Sequence, residues 1–414
     1  MHFRAQGTKS VFCPISEEST FLYIAQACSY IFTRAFLSIF TDWTPPMQNT
    51  LPWQWWAWDT ASLQLVKNLV FRMALFCCTV FLPALDPALA KDRYPDHPNS
   101  ITLYWENDVF ARTDRDYTNG LRLTWSRPLR FAGEPLAPHS LLNYPLIRRL
   151  PFVKDTRANL GYSVSLGQSI YTPRDTERED LISDDRPYAG YLYVGLGFHA
   201  FRSARLTLLE LDIGVVGPWA LGEQMQNTAH RLVGSDIAEG WDNQLKNEPA
   251  IELVYETKWR LWEQEAANGF GLGLIPHIGG RLGNVSIDAD AGAEFRFGWN
   301  LPDNFGSCPI RSSCDSNHLA DLTPGFGKNR SALGIHLFVG LQGYIVVRDI
   351  FLDGNTFRSG HSVDKKPLVA EATTGIALHY KRFRIIYSYV WRSKQFDQQE
   401  DAQVFGSFSV SFDY

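Results

Sequence analysis

Three short stretches of the chain gather residue types that hydrolytic chemistry needs. The first is Glu106-Asn107-Asp108, which faces Asp114, Asp116, Thr118 and Asn119 across a short turn. Counting by twos puts Asp108 on one polar face with Tyr104 and Glu106, and Thr118 on another with Arg122 and Thr124. Hard oxygen donors converging there suit calcium, although a solvated Asp- and Asn-rich turn would carry the same residues. An EF-hand loop is excluded, because Asn119 stands where its glycine belongs and Trp125 where its bidentate Glu belongs. The second stretch follows Ser183 and contains Asp184, Asp185, Arg186 and Tyr188, which would also serve as a rim ion pair. The third is His230 with Asp236 six residues on. An imidazole is the natural base near neutral pH, and a nearby carboxylate could orient it or hold a metal. No G-x-S-x-G pattern supplies a serine nucleophile, which points to water as the attacking group.

The elements that must position these residues are strands. From Ser100 onward the dominant period is two: Leu192, Val194, Leu196 and Phe198 alternate with Tyr191, Tyr193, Gly195 and Gly197, and Leu209, Leu211 and Ile213 alternate with Glu210, Asp212 and Gly214. One apolar face and one charged or glycine face is what lipid outside and a wet lumen inside select. A soluble barrel would reverse the faces. The mean hydropathy of -0.19 agrees, as does the lack of any apolar run near the ~20 residues a membrane helix needs. We expect strands near residues 100–108, 117–127, 158–170, 188–202, 204–216, 249–261, 269–282, 285–299, 333–348, 367–381, 383–393 and 402–414. The fold class is therefore all-β, a twelve-stranded antiparallel transmembrane β-barrel. An even strand number puts both ends of the series in the periplasm, so the loops after strands one, three, five, seven, nine and eleven face outward. Residues 219–233 break the period and read as a short helix in the outward loop between strands five and six, with Leu221, Met225, Ala229 and Leu232 on its apolar side. The final Phe412-Asp-Tyr414 resembles the signal read by the barrel assembly machinery. A net charge of -5 gives no reason to invoke nucleic acid.

An internal leader precedes the barrel. Lys67 and Arg72, a short apolar run from Met73 to Leu85 and Ala88-Leu-Ala90 read as a signal peptide over residues 66–90, cleaved after Ala90. We expect residues 1–65 to be upstream sequence read from a misplaced start, a cytoplasmic extension being the other reading. Residues 91–414 form the barrel. Cys308 and Cys314, in a Gly-, Pro- and Ser-rich stretch on the periplasmic side, are expected to pair as a small disulfide rather than to hold zinc.

Glu106-Asn107-Asp108, Asp116-Tyr-Thr-Asn-Gly120, Gly167-Gln-Ser-Ile-Tyr171, Asp185-Arg-Pro-Tyr188, Gln226-Asn-Thr-Ala-His-Arg231 and Gly240-Trp-Asp-Asn-Gln244 together resemble the lipid A 3′-O-deacylase family of Gram-negative outer membranes, LpxR. The resemblance implies a twelve-stranded barrel with its site near the outer rim. It also implies calcium-dependent release of the 3′-linked acyloxyacyl chain of lipid A, the lipid anchor of lipopolysaccharide. It places Asn107, Asp108, Thr118, His230 and Asp236 on functional positions: His230 as base, Asn107 and Thr118 positioning carbonyl or water, Asp108 and Asp236 near the metal. Asp236 is shorter than the family's Glu, and Ser183 stands near a family lysine. Asp185, Arg186 and Tyr188 would line the substrate rim. An outer-membrane phospholipase and a catalytically silent barrel or pore are the alternatives.

Overall fold

The computed structural model describes residues 99–108, 116–133, 145, 147–149, 151–202, 204–233, 236–307, 309–310 and 333–414. The expected leader, the segment before it and both Cys308 and Cys314 lie outside the described residues.

Among the described residues, thirteen hydrogen-bonded strands form one antiparallel sheet that closes on itself. They are β1 Ser100–Asn107, β2 Asp116–Arg130, β3 Asn159–Thr172, β4 Ala189–Arg202, β5 Arg205–Val216, β6 Glu248–Trp259, β7 Trp262–Glu265, β8 Phe270–Gly283, β9 Ser286–Trp299, β10 Gly334–Asp349, β11 Leu368–Tyr380, β12 Phe383–Arg392 and β13 Gln403–Asp413. β6 and the short β7 both pair with β8, so β7 continues β6 after a break at Arg260 and Leu261 and the wall has twelve positions. β1 pairs with both β2 and β13, which seals the ring. Closure leaves no unpaired edge, the condition for strands to cross a bilayer.

Alternation explains why each strand forms where it does. On β1, Leu103 and Trp105 are exposed while Thr102, Tyr104 and Glu106 are buried; on β10, Leu337, Val339, Leu341, Ile345 and Val347 are exposed. Trp262, Phe270, Trp299, Tyr380 and Phe383 ring the end where β7 and β12 turn, and Trp105 and Trp391 lie near the opposite end. Exposed aromatics at both strand ends are what a bilayer-spanning barrel places at the two membrane interfaces.

The lumen is packed with paired charge. Arg122 donates to both carboxylate oxygens of Glu210, at 3.0 and 3.1 Å, and to the Tyr193 hydroxyl at 3.1 Å. Both partners of that ion pair are at most 2% exposed. Glu210→Ala leaves a buried guanidinium without its carboxylate, which costs roughly 3–5 kcal/mol. Urea unfolding of the refolded barrel should show that loss, with Glu210→Gln retaining part of it.

Residues 301–307 correct one expectation. The segment after β9 does not hang as a periplasmic turn; it enters the lumen. Phe305 packs on Phe201 and Leu206, the Arg296 guanidinium donates to Asn304 Oδ1 at 2.7 Å, and the Ser307 amide donates to Glu294 Oε2 at 2.7 Å. The segment climbs far enough for the Ile310 amide to reach the Glu106 carboxylate, near the outer end of β1.

Candidate active site at the outer rim

Four outward loops meet above the wall. Residues 173–188 and 350–367 are joined where His361 Nε2 donates to the Asp185 carbonyl at 2.7 Å. Residues 217–247 are held to the second of these by Asn355, which exchanges hydrogen bonds with the Lys246 backbone at 2.9 and 2.7 Å. Residues 393–402 close on Arg186, whose guanidinium donates to Gln395 Oε1 at 2.9 Å and lies over the Tyr171 and Phe396 rings.

The helix is α1, Gly222–Val233, preceded by a 3-10 turn over Pro218–Ala220 and by Leu221 in the left-handed region. Its buried side overturns the apolar assignment. Gly222, Gln226 and His230, spaced by four, are buried, whereas Met225 and Ala229 are exposed. The reason is the surface it meets: Gln226 Oε1 accepts from the Trp241 indole at 3.0 Å, and Gln168 Nε2 donates to the Ala220 carbonyl at 2.7 Å. Contact with the wall is close. A Cβ at Gly222 would stand 2.8 Å from the Trp241 ring and 3.1 Å from the Gly190 Cα. Gly222→Val therefore lifts the helix, and since misplacing a reacting group by about 1 Å can cost ~10²-fold, activity should fall by at least ~10-fold while the barrel still migrates as a folded, heat-modifiable band. Unchanged turnover would show that the helix docks without needing this contact.

His230 is 9% exposed, and its Nδ1 meets the backbone carbonyl of Asp236. A carbonyl can only accept, so Nδ1 carries the proton and Nε2 presents a lone pair, the form a general base needs. Asp236 thus orients the imidazole through its main chain, and its own carboxylate is exposed. Glu223, in the helix's first turn, has its carboxyl raised above the ordinary range by burial and then by the neighbouring Asp242 charge.

On the wall side, Asp108 is fully buried at the end of β1. The ladder pairs Glu106 with Gly120 and Asn107 with Asn119, and Asp108 and Thr118 are the next residues of the two chains beyond that last pair. Thr118 also sits at a register shift between β2 and β3, and its hydroxyl lies 2.7 Å from that of Thr172. Such a bulge turns an extra side chain out of the ordinary alternation, here leaving both Tyr117 and Thr118 buried. Asn107 belongs to the other face of β1; its amide approaches Asn119 Oδ1 at 3.4 Å, the atom that also accepts from the Trp105 indole. In the second stretch, Ser183 and Asp184 are exposed. Asp185 binds the amides of Arg174 and Arg186, and Tyr188 packs on Trp241. These residues brace the loops. Sequence reasoning passed over Gln168, Thr172, Gln226 and Trp241, which hold the helix and the bulge; Gln168, Gln226 and Trp241 lay inside quoted motifs, and Thr172 flanks one.

A family model described as Outer membrane protein LpxR matches residues 73–414. The chain belongs to the LpxR family. Among solved structures, LpxR from Salmonella typhimurium superposes with a TM-score of 0.60 at 20% identity, covering 76% of this chain and 100% of that one, a likeness of fold. The β domain of the Bordetella autotransporter BrkA, at 10% identity over 77% of this chain and 98% of its own, gives a TM-score of 0.36. The translocator domain of NalP from Neisseria meningitidis, at 8% identity over 83% of this chain and 98% of its own, gives 0.32. No curated protein matches the sequence. Family membership and the closed barrel together place the LpxR-family chain in the outer membrane, with the helix-bearing loops at the rim opposite the strand termini.

Proposed function

We propose that this LpxR-family barrel is a carboxylic ester hydrolase that removes the 3′-linked acyloxyacyl chain of lipid A in the outer leaflet. The observation that carries the reading is the orientation of His230: a helix turns its polar side to the wall, and a backbone carbonyl fixes the imidazole with Nε2 as the base. In the reaction, Nε2 takes a proton from water while the water oxygen forms a bond to the ester carbonyl carbon. The tetrahedral intermediate then expels the sugar oxygen, which receives that proton back from Nε2. Thr118 and Asn107 position the water or the carbonyl. Arg186 and the braced loops hold the rim against which the lipid lies.

Calcium fits the donor chemistry of this rim. The rim offers a fully buried carboxylate, Asp108, just past the end of β1, and the Thr118 hydroxyl on the neighbouring strand. Asp108 would hold the ion, Asp236 would add its exposed carboxylate, and the ion would polarise the ester carbonyl. Among the described residues no group of three or more His, Cys, Asp or Glu converges, so most of the shell must come from neutral oxygens and water. A site with so few charges binds weakly, on the order of 0.1–1 mM.

The packed lumen and the helix favour an enzyme over an open pore. The test is mass spectrometry of lipid A from a host expressing the barrel, with His230→Ala as control. Loss of one acyloxyacyl chain in the wild-type host alone is expected. Intact lipid A, or cleaved glycerophospholipids instead, would overturn the assignment.

A further inference from the structure

At the periplasmic end, where β6 breaks before β7, the wall carries an open groove of about 770 Å³ lined by Arg202, Arg205, Trp259, Arg260, Leu261 and Pro276. Arg205 pairs across the ladder with Trp259. The β6–β8 ladder runs to Lys258 opposite His277, which brings Trp259 beside Pro276. Alternation puts this row on the lipid side: Arg205 shares its face with the exposed Leu211 and Ile213, and Trp259 shares its face with the exposed Ile251, Leu253 and Tyr255. The groove therefore opens towards lipid at the level of the headgroups.

Its charges are unequally used. Arg202 pairs with Asp155 at 2.9 Å, and Arg260 turns inward to Asp303 at 3.2 Å. Arg205 donates through Nε to the Thr257 hydroxyl at 3.2 Å and lies 6.0 Å from the centre of the Trp259 ring. Among the described residues no carboxylate forms an ion pair with it. A guanidinium on the lipid face of a barrel is unfavourable in hydrocarbon and becomes tolerable where it meets an anion at the interface. Its planar fork matches a phosphate.

We propose that this groove binds the phosphate of an anionic glycerophospholipid from the periplasmic leaflet, with Arg205 as the main contact, Arg202 adding to the field, and the acyl chains lying along Tyr255 and Leu253. The site is in the leaflet opposite lipid A and stands whether or not the esterase reading holds.

The test uses the refolded barrel in nanodiscs of mixed phosphatidylglycerol and phosphatidylcholine, followed by native mass spectrometry of retained lipid. Wild-type protein should retain phosphatidylglycerol in preference. One arginine near an anionic lipid surface contributes about fivefold, so Arg205→Gln should lower retention by about that factor. Arg205→Lys, which keeps the charge, should retain most of the preference. Heat-modifiable mobility establishes that each variant is folded. No preference in the wild type, or equal retention by Arg205→Gln, would mean annular lipid only and would overturn the proposal, as would a loss in Arg205→Lys as large as in Arg205→Gln.

Discussion

His230→Ala should lower lipid A ester hydrolysis by on the order of 10²- to 10⁴-fold, the range that a positioned general base contributes. The loss should fall on kcat. His230 sits on a helix face buried against the rim, and Nδ1 is committed to the Asp236 carbonyl, so only Nε2 is left for the reaction. A water would still bind without the imidazole, but nothing would take its proton. Because the contact runs through the main chain of Asp236, Asp236→Asn should leave the tautomer intact and affect activity only through its carboxylate. His230→Gln tests shape separately from basicity: it fills part of the same space and cannot act as the base. Wild-type kcat in folded His230→Ala would end the proposed mechanism, and kinetics in mixed micelles with heat-modifiable mobility as the folding control would show it.

Chelation should abolish turnover while leaving the barrel folded. The barrel's stability rests on closed strand pairing and on lumen pairs such as Arg122–Glu210, which no ion at the rim supports. The rim is different, because Asp108 and Thr118 belong to the wall while His230 belongs to a loop helix. Calcium tolerates the irregular oxygen shell such a composite offers, whereas magnesium demands tight octahedral geometry and sheds water reluctantly. Adding back calcium at millimolar levels should therefore restore activity, and magnesium should restore little. Asp108→Asn should raise the calcium needed for half-activity by ~10-fold or more, since it removes the buried negative charge. Ester release and gel mobility are measured side by side in chelator. Full activity there refutes the metal role; loss of the folded band makes the ion structural.

What the sequence determined by itself was everything written in local alternation. Apart from the short β7, each strand lies within a few residues of its expected span, because a lipid-facing apolar residue and a lumen-facing polar one leave period two in the chain whatever their neighbours are. Strand parity in turn put Asp108, the Arg186 loop and His230 at one rim, and the motif residues made the family legible. The tertiary structure decided what depends on which segments meet after closure. An apolar stripe on α1 predicts burial of Met225 and Ala229, but the wall offers Gln168 and the loops offer Trp241, so the helix turns its Gln226 and His230 side inward. Thr118 is placed by a bulge that exists only in its pairing with β3, and Asp236 acts on His230 through a carbonyl that no residue type announces. Residues 301–307 fill the lumen because Arg296, Glu294 and Phe201, from two strands, converge there to receive them. A strand's own pattern records which medium each side chain faces, and it holds no record of which loop comes to lie above it.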